Sequence, residues 1–127
     1  MSLVKTPEFS FTAYNIQASD IEEDEYYLIS YADDGVDPEN YIIIQCAYTF
    51  DDMDKKQGID SAYFESSFVQ IKGYFVIDQW VTRQMSTEIT ITSKSTMKMY
   101  KFIIEHNFES LPSNYEEVVK QILANNQ

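Results

Sequence analysis

One cysteine, three glycines, three prolines and one histidine are all that this 127-residue chain holds of the residues that most often staple, break or catalyse. A single cysteine closes no internal disulfide. Cys46 sits in an apolar run, so a buried small hydrophobe in a reducing compartment is the expectation, and with it a cytoplasmic protein. So few glycines and prolines leave little room for flexible linkers, and the length is that of one ordinary domain spanning residues 1–127. Long hydrophobic runs are missing as well. A run such as Ile42–Ile44 is far too short to cross a bilayer, and no basic start precedes an apolar stretch, so no secretory signal is expected.

Positive charge is the scarcest commodity. Nine Lys and Arg face twenty-one Asp and Glu, for a formal charge of −12. Nucleic acid and anionic membranes are both recognised by clustered cations, so neither is an expected partner. What the chain has instead is acid in one place. Between Asp20 and Asp60 lie thirteen carboxylates, opposed only by Lys55 and Lys56. The same stretch is threaded by apolar, tyrosine-rich runs, and the whole chain is 44% hydrophobic and 15% aromatic, which excludes a disordered acidic tail. A folded face of this sign attracts something positive, such as a basic protein.

Alternating apolar residues mark strands. They run over Phe9 to Ile16, Tyr26 to Ala32, Tyr41 to Phe50, Ser61 to Phe64, Phe68 to Ile77, Trp80 to Arg83 and Thr87 to Ser93. Lys98 to Phe108 fits a strand somewhat better than a helix. Asp20 to Glu25, Asp33-Asp34-Gly35 and Asp37-Pro38-Glu39-Asn40 read as turns, and Asp51 to Gly58 as a polar connector with one helical turn. Gly73 is expected to mark a bulge or a close approach. After Pro112, Ser113 and Glu116 have the spacing of a capping box. Tyr115, Val118, Val119, Ile122 and Leu123 then form one apolar stripe. The expected fold is α+β: a mostly antiparallel sheet of six or seven strands with a C-terminal helix packed on it.

Little of the sequence points to catalysis or metals. Cys46 and His106 are the one nucleophile–base combination, and nothing local brings them together. Asp51-Asp52-x-Asp54 lacks the central glycine and terminal glutamate of a calcium loop, with lysines where ligands would stand. No catalytic residue, metal or cofactor is therefore assigned. Tyr26, Tyr27, Tyr31, Tyr41, Tyr48 and Tyr63 lie in or beside the acidic half. Tyrosine combines rigid apolar area with a hydroxyl, which suits it to interfaces and equally to an aromatic core.

Three runs carry a resemblance: Tyr31-Ala32-Asp33-Asp34, then Pro38 to Gln45 (PENYIIIQ), then Gly58-Ile59-Asp60-x-x-Tyr63-Phe64-Glu65. In this order and chemistry they resemble the immunity protein 10 family of bacterial polymorphic toxin systems. Cys46 stands where that family commonly has Arg, and Ser66 to Gly73 keeps one glycine where it has several. The resemblance implies a small cytoplasmic inhibitor, not an enzyme, that binds and blocks a cognate toxin in the producing cell. A toxin with a basic nuclease cleft would suit an acidic lid.

On that reading the partner-binding residues are Asp33, Asp34, Asp37, Glu39, Asp51, Asp52 and Asp54, with Tyr31 and Tyr41 as anchors. A competing role is open for some of the motif. Asp33, Asn40 and Asp60 suit turn caps, and Gln45 suits a backbone bond inside the sheet. Two other functional classes stay open, a scaffold that self-assembles through its aromatic sheet and a small hydrolase. The oligomeric state is not fixed by the sequence.

Overall fold

The structure, a computed structural model, describes residues 6–68 and 71–125. Among these described residues eight strands form one sheet: β1 (Glu8–Thr12), β2 (Asn15–Ile21), β3 (Tyr26–Ala32), β4 (Tyr41–Ala47), β5 (Ala62–Ser66), β6 (Lys72–Thr82), β7 (Ser86–Ser93) and β8 (Met99–Glu105). Helix α1 (Asp52–Gln57) follows β4, and helix α2 (Tyr115–Asn125) ends the described chain. The α+β class holds, with eight strands where six or seven were expected. Among the described residues no helix is long and apolar enough to cross a membrane.

Strand order is β1-β8-β7-β6-β5-β4-β3-β2, antiparallel throughout except for the parallel pair β1–β8. The two outermost strands of this order are consecutive in the chain, joined by Ala13 and Tyr14 alone. Such a link spans about 11 Å at most. The sheet must therefore curl until its edges meet. Backbone bonds mark the joint: the Ala13 N–H donates to Glu105 O on β8, and the Tyr14 N–H to Ala32 O on β3, each at 2.9 Å. β1 and β2 make no ladder with each other; the backbone itself closes the gap.

This joint corrects the single strand expected over Phe9 to Ile16. Phe9 and Phe11 pack toward the interior with Ala13, but beyond the joint the inward positions are Ile16 and Ala18. The period of two slips by one residue there. β6 shows the same slip without a break. Its register shifts between Ile77 and Gln79, so Phe75 and Ile77 face inward before the bulge and Trp80 after it. The two segments expected there are thus one strand, and Val69 and Gln70 of the expected strand from Phe68 lie outside the described residues. Gly73 marks neither bulge nor crowding. It has φ +136° in open space opposite Phe64, a backbone conformation that side chains disfavour.

The inner face is the core. Ile29, Ile44 and Phe64 stand in one cross-strand row that reaches β6 at Gly73; farther along the inner face Ile77 stands opposite Ile91, and Trp80, Ile89 and Phe102 form another row. Phe9, Phe64, Phe68 and Phe102 form an aromatic cluster with ring centroids 5.0–5.9 Å apart. Each fully buried side chain of this size contributes about 1.5–3 kcal/mol, so the inner face supplies most of the stability. α2 packs against β2, β3 and β4 with Tyr115, Val118 and Ile122 buried. The helix begins at Tyr115, beyond the expected cap at Ser113. Asn114 precedes it and donates its side-chain amide to Ala18 O at 2.9 Å, tying the helix start to β2.

Candidate functional site

Alternation along β3 to β6 sends one set of residues inward and leaves another on the outer face. Two outer rows cross the strands: Leu28, Gln45, Tyr63 and Tyr74, and beside them Ser30, Ile43, Glu65 and Lys72. Most of these are half-buried, and Tyr74 is 38% exposed. Tyr63 and Tyr74 meet edge to face with centroids 5.4 Å apart. Glu65 accepts from the Tyr63 hydroxyl at 3.2 Å and faces Lys72 Nζ at 3.7 Å. Burial first, and then that carboxylate, raise the Tyr63 phenol above its ordinary value. The result is an aromatic strip carried by rigid strands.

The sequence-marked carboxylates fall into two groups at opposite ends of this strip. Asp33, Asp34, Asp37 and Glu39 lie in the β3–β4 connection, and Asp51, Asp52 and Asp54 at the start of α1, just after β4. The seven residues of β4 separate them by about 20 Å. They bracket the strip and do not form one patch.

Within each group, structural and free carboxylates separate. Asp33 accepts from the Glu39 and Asn40 backbone N–H groups at 3.0 Å and from Asn40 Nδ2 at 3.2 Å, so it holds its loop. Asp34 makes a short turn by accepting from Val36 N at 3.0 Å and remains exposed. Asp37 and Glu39 are exposed. Asp51 and Asp54 form a reciprocal capping box at the start of α1, and Asp52 is exposed beside them. Asp60 is held by Lys94 at 2.5 Å, whose ammonium keeps its carboxyl below the ordinary value.

The two expected anchors part company. Tyr41 is half-buried at the strip's end, beside Asp34 and Pro38 in a hollow of about 310 Å³. Tyr31 is 0% exposed and belongs to the core. Its hydroxyl accepts from Trp80 Nε1 at 3.1 Å and lies 2.5 Å from the Tyr115 hydroxyl. The chain of contacts continues from Tyr115 to Thr82 at 2.9 Å, from Thr82 to Thr87 at 3.2 Å, and from Thr87 to His106 Nε2 at 2.6 Å. Its role as a surface anchor is thereby withdrawn: Tyr31 faces inward, and burying a phenol requires partners of this kind.

Cys46 and His106 are not brought together. Cys46 lines a hollow beside α1, and burial pushes its thiol up to about 11. His106 lines a different hollow, has both ring nitrogens engaged, and is held below the ordinary histidine value by burial. Gln45 points outward, away from the sheet interior where a backbone bond had been expected. Sequence reasoning missed Ser61 and Tyr74. Tyr74 meets Tyr63 only once the β5–β6 register is known, and Ser61 is buried without a hydrogen-bond partner.

A packed interior with an aromatic outer strip and acidic ends has the features of a small binding protein. The family comparison makes the class particular. The family described as Immunity protein 10 matches residues 12–109, most of the chain, and the chain belongs to that family. Comparison with curated proteins and with solved structures returned no match.

Proposed function

We propose that this protein neutralises a cognate bacterial toxin by covering a basic surface of the toxin domain with the outer strip of β3 to β6. Tyr41, Tyr63 and Tyr74 are the anchors, and Asp34, Asp37, Glu39 and Asp52 the charged rim. Asp33, Asp51 and Asp54 hold the loops that present them. The observation that carries this reading is the adjoining, partly exposed pair Tyr63 and Tyr74 on neighbouring strands, with half-buried Tyr41 toward one end and exposed carboxylates at both ends. Rigid aromatics supply affinity at low entropic cost, and the acids chiefly accelerate encounter with a positive partner. A nuclease domain with a basic cleft is a toxin of the right sign. The site of action is the cytoplasm of the producing cell.

The test is calorimetry against the toxin domain encoded beside this chain, at about 0.05 M and about 0.5 M salt. One-to-one binding should weaken about tenfold or more between the two, and should weaken similarly in a double variant, Asp34→Lys with Asp37→Lys. Affinity indifferent to both salt and substitution overturns the electrostatic reading. Sedimentation of the chain alone addresses the scaffold alternative, which requires mass to grow with concentration.

A further inference from the structure

Between α1 and the outer face of β4 to β6 lies a hollow of about 410 Å³, lined among others by Tyr26, Gln45, Asp54, Ser61, Tyr63 and Tyr74. Binding pockets run from about 300 to 1,000 Å³, so this one admits a single long side chain. Its apolar walls are the rings of Tyr26, Tyr63, Tyr74 and Phe50 with Ala47 and Ile59. Its polar groups are the Gln45 amide, the Asp54 carboxylate and the Ser61 hydroxyl. No Lys or Arg lines it; Lys55 of α1 lies instead along a separate hollow with Tyr48 and Asp60.

Ser61 singles this hollow out. The residue is 2% exposed, and its Oγ is the one buried side-chain polar atom among the described residues without a hydrogen-bond partner. Such atoms are rare in native interiors because leaving one unpaired costs about 1–3 kcal/mol. Alanine would avoid that cost. Ser61 lines the hollow, so a donor group entering there is a partner for the hydroxyl that has none. Asp54 is half-committed in the same sense, since its Oδ2 accepts from Asp51 N and its other oxygen has no such partner.

We propose that this hollow is the receptor for one arginine side chain of the toxin. The inference rests on the toxin-binding reading above and names the group that the strip recognises. Three acceptors, the Gln45 carbonyl, the Asp54 carboxylate and the Ser61 hydroxyl, match a group that is donor only. Tyr26, Tyr63 and Tyr74 line the hollow with aromatic rings, the kind of partner a planar guanidinium prefers. A lysine ammonium satisfies the charge but not the planar walls. A carboxylate or phosphate is repelled by Asp54.

Two measurements test it. In the first, the intact chain is titrated with N-acetyl-arginine amide and, separately, with N-acetyl-norleucine amide, and amide shifts are followed by NMR. Saturable shifts at Gln45, Ser61 and Tyr74 with the arginine compound alone, lost in Asp54→Asn, support the site. No shifts, or equal shifts with both compounds, overturn it.

In the second, Ser61→Ala and Gln45→Ala are measured against the toxin domain. Each should weaken binding about tenfold, while Ser61→Ala leaves thermal stability unchanged or raised. If the wild type binds the toxin and both variants bind equally well, the arginine receptor is wrong and the inhibitory function stands. If the arginine compound binds but the toxin does not, the hollow is a guanidinium site and its assignment to a toxin fails.

Discussion

The hydroxyls of Tyr31 and Tyr115 lie 2.5 Å apart and join β3 to α2 across 84 positions of sequence. Tyr115 stands beyond the stretch matched to the family, yet its ring meets Tyr31 edge to face at 6.3 Å and its oxygen also reaches Thr82. Removing the oxygen alone takes one hydrogen bond from each of Tyr31 and Thr82 in the buried interior. Tyr115→Phe should therefore lower unfolding free energy by about 1–3 kcal/mol, read by urea denaturation. Toxin affinity should not change, because neither Tyr115 nor Tyr31 lies on the outer strip.

His106 ends the same chain of contacts and gives stability a pH dependence. Burial holds its imidazole below the ordinary value of 6.5. Between those two values the unfolded chain binds a proton that the folded chain refuses. Stability from this group is full above about pH 6.5 and declines as pH falls through the window. The stability gap between wild type and His106→Gln should shrink as pH is lowered from about 7 to about 5, and a constant gap would contradict the account.

The acidic loop before β4 should divide by role. Asp33→Ala removes the acceptor of two backbone N–H groups and of Asn40 Nδ2, and should destabilise the fold by about 1–2 kcal/mol. Asp37→Lys, on an exposed residue, should stay within about 0.5 kcal/mol of wild type while weakening toxin binding. Paired denaturation and calorimetry read both numbers. Asp37→Lys with unaltered affinity would remove that carboxylate from the rim.

Cys46 should be inert while the chain is folded. It is 3% exposed, and burial raises its thiol to about 11, so little thiolate forms near neutrality. A disulfide reagent at about pH 8 should label the native protein slowly and the guanidinium-unfolded protein at once. Fast native labelling would show that the hollow beside α1 opens far enough to expose its floor.

Much of the sheet was legible in the sequence because inward and outward residues alternate. Tyr26–Ala32 could be read directly from its apolar period, and the strand expected over Tyr41 to Phe50 is present but stops at Ala47. The slips were not legible. An extra residue looks the same in sequence whether it splits a strand, as at Ala13-Tyr14, or only bulges one, as at Asp78, because the outcome is decided by which neighbour strand takes the next hydrogen bond.

The site divides in the same way. Turn chemistry marked the acidic loops, and Asp33 proved to hold its loop as that chemistry allows. Tyr31 and Tyr41 could not be told apart. Each lies on an apolar strand, and what takes Tyr31 inside is a pair of partners, Trp80 and Tyr115, that lie 49 and 84 residues away. Ser61 gave no signal, since an unpaired hydroxyl is a property of surroundings and not of local sequence.

The two-residue joint between β1 and β2 also sets a timetable. Residues 8–12 leave the ribosome well before their ladder partner, residues 101–105, so the seam waits for all the strands between them. Contacts this remote in sequence slow folding toward the millisecond-to-second range. A nascent chain can assemble its middle hairpins early, yet the sheet cannot seal until β8 has emerged.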